Sequence, residues 1–154
     1  MTTPQYSMVT LRVGDKAPDF ALPAHPNGTI SLKDFIGKKN VILAFYPKDD
    51  TPGCTKEMCA FSDDLEKFNT AGTQVLGISV DNEASHGQFA QKHNLQIPLL
   101  ADANREVGRA YGTVRDTGAN AERMLFVIDK TGVIRHIHSG MPDNAELLSV
   151  VEKI

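Results

Sequence analysis

The sequence predicts a mixed α/β fold, and three features support this prediction. Two near-continuous apolar runs, at 40–46 and 75–80, are typical of central strands that are buried on both faces of a sheet. Helical segments follow both runs, which favours parallel strands joined by helical crossovers. A hairpin at 124–139 closes the chain, so the second half of the sheet is predicted to be antiparallel.

In chain order, residues 1–12 are predicted to be a loosely ordered lead-in to one domain that spans 1–154. Two short strands at 20–22 and 29–31 flank the turn signal Asn27-Gly28. The later elements are a helical turn at 31–35, the strand 40–46, a helix from Pro52 to about Asn69, the strand 75–80, a helix at 82–93, a strand at 98–101, a helix at 105–111, hairpin strands at 124–129 and 133–139, and a helix at 145–154.

The composition is that of a globular protein with a core of its own. The chain has 154 residues, of which 41% are hydrophobic and 23% are charged. A net charge of −3 gives no general attraction to nucleic acid or to an anionic membrane, so we expect neither as a partner. The N-terminus lacks the charged and apolar regions of a signal peptide, and a cytoplasmic location is therefore expected.

The chain contains two cysteines, Cys54 and Cys59, and they lie close together. A chain of this length folds without covalent crosslinks, so the pair argues against a structural disulfide framework. A catalytic or redox-sensing role is the better interpretation.

The residues before Cys54 predict the start of a helix. Thr51 suits the N-cap position because its hydroxyl can accept a hydrogen bond from a free N–H of the first turn. Pro52 suits the first helical position, where its missing N–H costs nothing. Cys54 then occupies the third helical position, where the free N–H groups and the helix dipole stabilise a thiolate. The geometry therefore predicts that Cys54 is a nucleophile.

Helical periodicity separates the two sulfurs. One apolar stripe contains Cys54, Met58, Phe61, Leu65 and Phe68. Cys59 falls about 140° away from Cys54, on a wetter flank. Their Cα atoms would be about 8.6 Å apart in an intact helix, whereas a disulfide requires less than about 7 Å. The two cysteines can therefore bond only if the first turn unwinds.

The motif P-x-x-x-T-x-x-C, formed by Pro47, Thr51 and Cys54, resembles the active-site signature of peroxiredoxins. Cys59 resembles the resolving cysteine of the peroxiredoxin Q, or bacterioferritin comigratory protein, subfamily. The resemblance extends over segments at 13–20, 41–47, 75–81 and 123–129. It implies a thioredoxin-like fold, with a mixed central sheet flanked by helices and an N-terminal β-hairpin extension.

The resemblance implies a thiol-dependent peroxidase that acts on hydrogen peroxide and alkyl hydroperoxides. Cys54 would attack the peroxide and become a sulfenic acid. Cys59 would then form an intramolecular disulfide with Cys54, and thioredoxin or a similar dithiol would reduce it. No cofactor or metal is expected. Because resolution is intramolecular, we expect a monomer.

Three further residues take catalytic roles from the resemblance. Arg123 would stabilise the thiolate and the charge on the departing oxygen. Thr51 would hydrogen-bond the thiolate or a peroxide oxygen, and Pro47 would shield the pocket from water. The chain departs from the family at Leu125, where Ser or Thr is usual.

Two alternative functions remain open from the sequence. One is a disulfide oxidoreductase that exchanges with protein thiols, although the five-residue spacing of the cysteines weighs against it. The other is a redox sensor in which unwinding of the helix start changes a binding surface.

Other polar residues are predicted to lie in solvent. His136 and His138 alternate on one strand and share a face, but no zinc-binding cysteine and histidine spacing supports a metal site, so we interpret them as surface histidines. Four acidic residues are interpreted as solvated charge: Asp49, Asp50, Asp63 and Asp64. They could modulate the docking of a reductase.

Overall fold

The computed structural model describes residues 11–26, 28–115 and 118–154. The strands are β1 (Ala21–His25), β2 (Thr29–Ser31), β3 (Asn40–Phe45), β4 (Thr73–Ser79), β5 (Leu99–Ala101), β6 (Met124–Ile128) and β7 (Ile134–Ser139). The helices are a short 3-10 helix (Leu32–Asp34), α1 (Pro52–Asp63), α2 (Leu65–Thr70), α3 (Glu83–His93), α4 (Glu106–Ala110) and α5 (Asn144–Glu152).

The strands form a seven-stranded sheet in the order β2-β1-β5-β4-β3-β6-β7. β3 pairs in parallel with β4, and β4 pairs in parallel with β5. β6 pairs antiparallel with β3 and with β7. The prediction of a mixed α/β sheet, parallel first and antiparallel later, is therefore confirmed. The hairpin of β1 and β2 extends the sheet beyond β5.

The central strand β3 is buried along its whole length. Its alternate side chains enter two separate cores, because successive residues of a strand point to opposite faces. Ile42 and Ala44 pack with residues of α1, α3 and α5. Leu43 and Phe45 pack on the other face with residues of α4 and the N-terminal segment. The β3 strand thus sits between two apolar layers, and its carboxyl end leads directly to α1.

Helix α1 packs closely on the sheet because β4 carries a glycine beneath it. A Cβ atom at Gly77 would lie 3.0 Å from the sulfur of Met58 and 2.9 Å from Cδ2 of Leu99. The helix carries its apolar stripe as predicted, with Cys54, Met58 and Phe61 fully buried. Its position on the sheet is fixed by these contacts.

The predicted continuous helix from Pro52 to Asn69 is wrong, because the chain breaks at Asp64 into α1 and α2. Asn144, the first residue of α5, contacts the chain at this break. Its Nδ2 donates to the Ala60 carbonyl oxygen at 3.1 Å and to Asp64 Oδ2 at 3.0 Å. The side chain of another helix thus takes a carbonyl at the end of α1 as its acceptor.

Two predictions concern residues outside the described ranges. Residues 1–10 of the predicted lead-in and Asn27 of the predicted turn are among them. Within the described ranges, no helix combines the length and the apolar character needed to cross a membrane.

Candidate active site

Cys54 lies just beyond the carboxyl end of the central strand. The chain leaves β3 at Phe45, passes through a short loop and enters α1 at Pro52, which confirms the predicted helix start. Cys54 is therefore the third residue of the helix, and its side chain is fully buried. Free N–H groups and the positive end of the dipole at a helix start favour a negative charge there.

Arg123 reaches this sulfur from a neighbouring strand. Phe45 at the end of β3 pairs with Met124 at the start of β6, so the residue before Met124 lies beside the active-site loop. Nη2 of Arg123 donates to the Cys54 sulfur at 3.3 Å. Leu125, where the resemblance predicts Ser or Thr, is buried in the same apolar cluster as Cys54. The hydrogen bond from Arg123 to the Cys54 sulfur is therefore bordered by apolar side chains.

Glu57 holds the other side of the same guanidinium, and the sequence analysis missed it. Nη1 of Arg123 donates to Glu57 Oε1, and the Glu57 side chain is only 1% exposed. Burial raises the pKa of Glu57 to about 7, although its hydrogen bond from Arg123 acts in the opposite direction. The sequence contains one sign of this role: Glu57 follows Cys54 by three residues, so both side chains lie on the same side of the helix, one turn apart.

Gly53 is the second feature that the sequence analysis missed. A Cβ atom at this position would lie 3.0 Å from Nη2 of Arg123 and 3.9 Å from Cε of Met141. The first distance is shorter than a comfortable van der Waals contact. The absence of a side chain at Gly53 therefore lets the guanidinium approach the helix start and reach the sulfur.

Thr51 and Pro47 border the site, with one difference from prediction. Thr51 has the extended backbone of an N-cap residue, but its hydroxyl donates to the Lys48 carbonyl oxygen at 3.0 Å. The predicted hydrogen bond from a helix N–H to this hydroxyl is therefore wrong, because the hydroxyl points back along its own loop. Pro47 is half-buried two residues after β3 ends.

Comparison with known proteins shows to which family the chain belongs. Residues 13–137 match the sequence profile of the AhpC/TSA family. The chain belongs to this family. It is 42% identical over 152 residues to the peroxiredoxin bcp of Coxiella burnetii, with 95% of this chain and all of that protein covered. It is 40% identical over 146 residues to the chloroplastic peroxiredoxin Q of Triticum aestivum, covering 92% of this chain and 67% of that protein.

Solved structures agree with these sequence relatives. Peroxidoxin BcpB from Mycobacterium tuberculosis superimposes with a TM-score of 0.87 at 30% identity, over 94% of this chain and 99% of that one. The reduced 2-Cys peroxiredoxin of Plasmodium vivax gives a TM-score of 0.87 at 28% identity, over 93% of this chain and 81% of that one. The predicted fold and the predicted relationship to peroxiredoxin Q and bcp proteins are confirmed, and the chain is a peroxiredoxin enzyme.

Cys59 differs from Cys54 in its surroundings in this peroxiredoxin. Both cysteines are free thiols within the unbroken helix α1, and Cys59 is partly exposed. Burial, together with the nearby charge of Asp63, raises the pKa of the Cys59 thiol. Cys59 also lacks the arginine contact that Cys54 has among the described residues. The two sulfurs therefore lie in different surroundings.

Asp49 is buried in this peroxiredoxin, and its interpretation as solvated charge is wrong. Its carboxylate accepts a hydrogen bond from the Tyr46 hydroxyl at 2.6 Å and one from the Ser85 hydroxyl at 2.8 Å. Nδ1 of His86 lies 2.7 Å from the same carboxylate. Ser85 and His86 lie on α3, more than thirty residues from Asp49, which is why a local pattern did not reveal these partners. Asp50 and Asp63 are exposed, as predicted.

The Asp49 network fixes the loop that presents Cys54. Nε2 of His86 lies 2.8 Å from the Leu100 carbonyl oxygen, which can only accept, so this nitrogen carries a proton. Burial, followed by the charge of Asp49, raises the pKa of Tyr46, so its hydroxyl remains a donor. Together these bonds tie the loop before α1 to α3 and β5. The start of α1 is therefore positioned by contacts of the preceding loop with α3 and β5, as well as by the hydrogen bonds of its own first turn.

Proposed function

We propose that the chain is a thiol peroxidase that reduces hydrogen peroxide and alkyl hydroperoxides through Cys54. The observation that supports this most strongly is the contact of 3.3 Å between Arg123 Nη2 and the buried Cys54 sulfur. A cation at this distance stabilises a thiolate, which is the reactive form of cysteine. The helix start adds its own favourable field.

The first step transfers one oxygen atom to the sulfur. The Cys54 thiolate attacks an oxygen of the peroxide, the O–O bond breaks, and a sulfenic acid forms. The departing oxygen takes up a proton and leaves as water or as an alcohol. Arg123 faces the sulfur and thus the oxygen on which negative charge develops, where a fixed cation lowers the barrier.

Thr51 and Pro47 have supporting roles in this proposal. The Thr51 hydrogen is used in the bond to the Lys48 carbonyl, so the hydroxyl oxygen is left with lone pairs. That oxygen accepts a hydrogen bond from the O–H group of a bound peroxide. Pro47, which is half-buried beside the loop, limits the access of water to the sulfur.

The second step joins the two cysteines. The Cys59 thiol attacks the sulfenic acid sulfur, a disulfide forms, and water leaves. Since α1 contains both residues in one continuous helix, its first turn must open before the sulfurs can meet. Thioredoxin or a similar dithiol then reduces the disulfide and becomes oxidised itself. All of these residues belong to one chain, and we propose a single-domain monomer as the working unit.

Peroxide consumption driven by thioredoxin and its reductase tests this function. Cys54→Ser should abolish turnover. Cys59→Ser should retain one fast reaction with peroxide but lose thioredoxin-driven cycling. Retained turnover in Cys54→Ser would overturn the assignment, and reduction of insulin disulfides without peroxide consumption would favour a protein disulfide oxidoreductase.

A further inference from the structure

His136, His138 and Glu146 form a cluster outside the thiol site. The two histidines alternate on β7 and share a face of the sheet, as the sequence predicts. Glu146 lies in the first turn of α5, which packs on that face. One nitrogen from each histidine and one carboxylate oxygen all lie within 4.8 Å of one another. The histidines are half-buried.

The position of His136 is the first sign that this cluster binds a ligand. Its Nε2 is shielded from solvent and has no hydrogen-bond partner within the described part of the chain. The nearest carboxylate oxygen, Glu146 Oε1, is 3.7 Å away, too far for a good hydrogen bond. Two ligands of a tetrahedral zinc ion, each bonded at about 2.0 to 2.1 Å, lie about 3.3 Å apart. The observed separation is thus close to that of two atoms bridged by a metal ion.

The position of His138 is the second sign. Its Nε2 lies 2.9 Å from the Met141 carbonyl oxygen. Because a carbonyl oxygen can only accept, Nε2 carries the proton and Nδ1 keeps a free lone pair. Histidines that bind metals commonly donate their other N–H to a backbone carbonyl in this way, which fixes the tautomer and the ring orientation.

We propose that His136, His138 and Glu146 form a binding site for a divalent transition-metal ion, with Zn²⁺ as the best fit. Two imidazole nitrogens and one carboxylate are ligands that zinc accepts, and water would complete the tetrahedron. Mg²⁺ and Ca²⁺ prefer oxygen ligands, so a site with two imidazoles selects against them. Glu146 is exposed, so an ion can enter from solvent. The bound ion would link β7 to the first turn of α5.

Zinc titration of the full-length chain tests this proposal. The titration uses the Cys54→Ser/Cys59→Ser background, because thiolates themselves bind zinc. Calorimetry with zinc chloride gives the stoichiometry and affinity, and the visible bands of Co²⁺ report tetrahedral coordination. The site variants are His136→Ala, His138→Ala and Glu146→Gln. His93→Ala is the matched control, since it removes a histidine of α3 that pairs with Asp50 and is not part of the cluster.

We expect one zinc ion per chain, with affinity weakened at least about 10- to 100-fold by each site substitution and unchanged in His93→Ala. Imidazole NMR spectra of the reduced, unsubstituted protein give a second test that does not depend on variants. There, zinc should shift the signals of His136 and His138 and leave those of His93 in place. Absence of saturable binding, or an equal loss of affinity in His93→Ala, would show that the cluster is only a pair of histidines beside a carboxylate.

Discussion

Nη2 of Arg123 lies 3.3 Å from the sulfur of Cys54, although 69 positions separate the two residues in the chain. The pairing of β6 with the end of β3 produces this contact. The guanidinium is also held by Glu57 and is admitted by the missing side chain of Gly53. The reactivity proposed for Cys54 therefore depends on a cation that is positioned from three directions.

The first prediction concerns that cation. Arg123→Lys should lower the second-order rate constant for hydrogen peroxide about 100- to 1,000-fold, because one ammonium group cannot bond the sulfur and Glu57 in the same geometry. Stopped-flow kinetics of the reduced enzyme measures this constant. Arg135→Lys, which changes an exposed arginine paired with Asp129, is the control. A rate constant within about twofold of the native value in Arg123→Lys would show that the contact is not used in the reaction.

The second prediction concerns Gly53. The added Cβ of Gly53→Ala would displace the tip of Arg123, because it would lie 3.0 Å from Nη2. The peroxide rate constant should fall about 10- to 100-fold. The free energy of unfolding should stay the same or rise by up to about 1 kcal/mol, since alanine favours a helix more than glycine does. These two quantities are measured by stopped-flow kinetics and by urea denaturation.

Gly87→Ala is the matched control for Gly53→Ala. Gly87 lies in α3, and an added Cβ there would meet ring atoms of His25 no closer than 3.5 Å, an ordinary contact. The control should therefore keep the native rate constant. If both variants lose the same rate, or neither does, the close approach at Gly53 has no special role.

The third prediction concerns the buried Asp49 network. Asp49→Asn replaces a buried carboxylate. One oxygen of this carboxylate lies 2.7 Å from His86 Nδ1, and no more than 3% of either side chain is exposed. The asparagine has one acceptor oxygen in place of two, so a buried donor is left without a partner, which costs about 1 to 3 kcal/mol of unfolding free energy. Urea denaturation measures this cost. Asp63→Asn, at an exposed aspartate, should change stability by less than about 0.5 kcal/mol. Equal stability of the two variants would show that the hydrogen bonds of Asp49 do not stabilise the fold.

How much of this could be predicted from the sequence differs between residues. The helix start at Pro52 and the buried stripe follow from local rules, since capping and the helical period need only neighbouring residues. Arg123 was found through the resemblance to peroxiredoxins, because no local pattern brings β6 beside β3. Two partners of Asp49, Ser85 and His86, lie on a helix more than thirty residues away. A run of two aspartates therefore gave the wrong expectation of solvent exposure.

The break at Asp64 was also not predicted from local patterns. The apolar stripe continues through Leu65 and Phe68, so periodicity alone predicts one long helix. The hydrogen bonds from Asn144 that mark the break come from the far end of the chain. Glu57 was missed for a different reason: a charged residue is usually placed in solvent unless its partner is known.

The fourth prediction concerns pH. Burial raises the pKa of Glu57 from 4.5 to about 7, so the folded protein disfavours the ionised carboxylate. The neutral carboxyl therefore contributes stability below about pH 4.5, and this contribution is lost as the pH rises through about 7. Glu57→Gln cannot ionise. The unfolding free energy of the native enzyme should accordingly fall relative to Glu57→Gln between about pH 5 and about pH 8.

Urea denaturation of both proteins across that range measures the difference. A difference that stays constant would show that Glu57 does not titrate in this interval. A difference that changes in the opposite direction would show that Arg123 lowers the pKa of Glu57 more than burial raises it.

In the proposed reaction, peroxide oxidises Cys54, and Cys59 can join it only after the first turn of α1 opens. Hydrogen exchange with mass spectrometry, on the reduced enzyme and after one equivalent of hydrogen peroxide, tests both parts. We expect a Cys54–Cys59 disulfide after peroxide treatment. We also expect that protection falls in the first turns of α1 and is kept in β3 and β4. A Cys54–Cys59 disulfide with α1 as protected as in the reduced enzyme would contradict this opening of the helix.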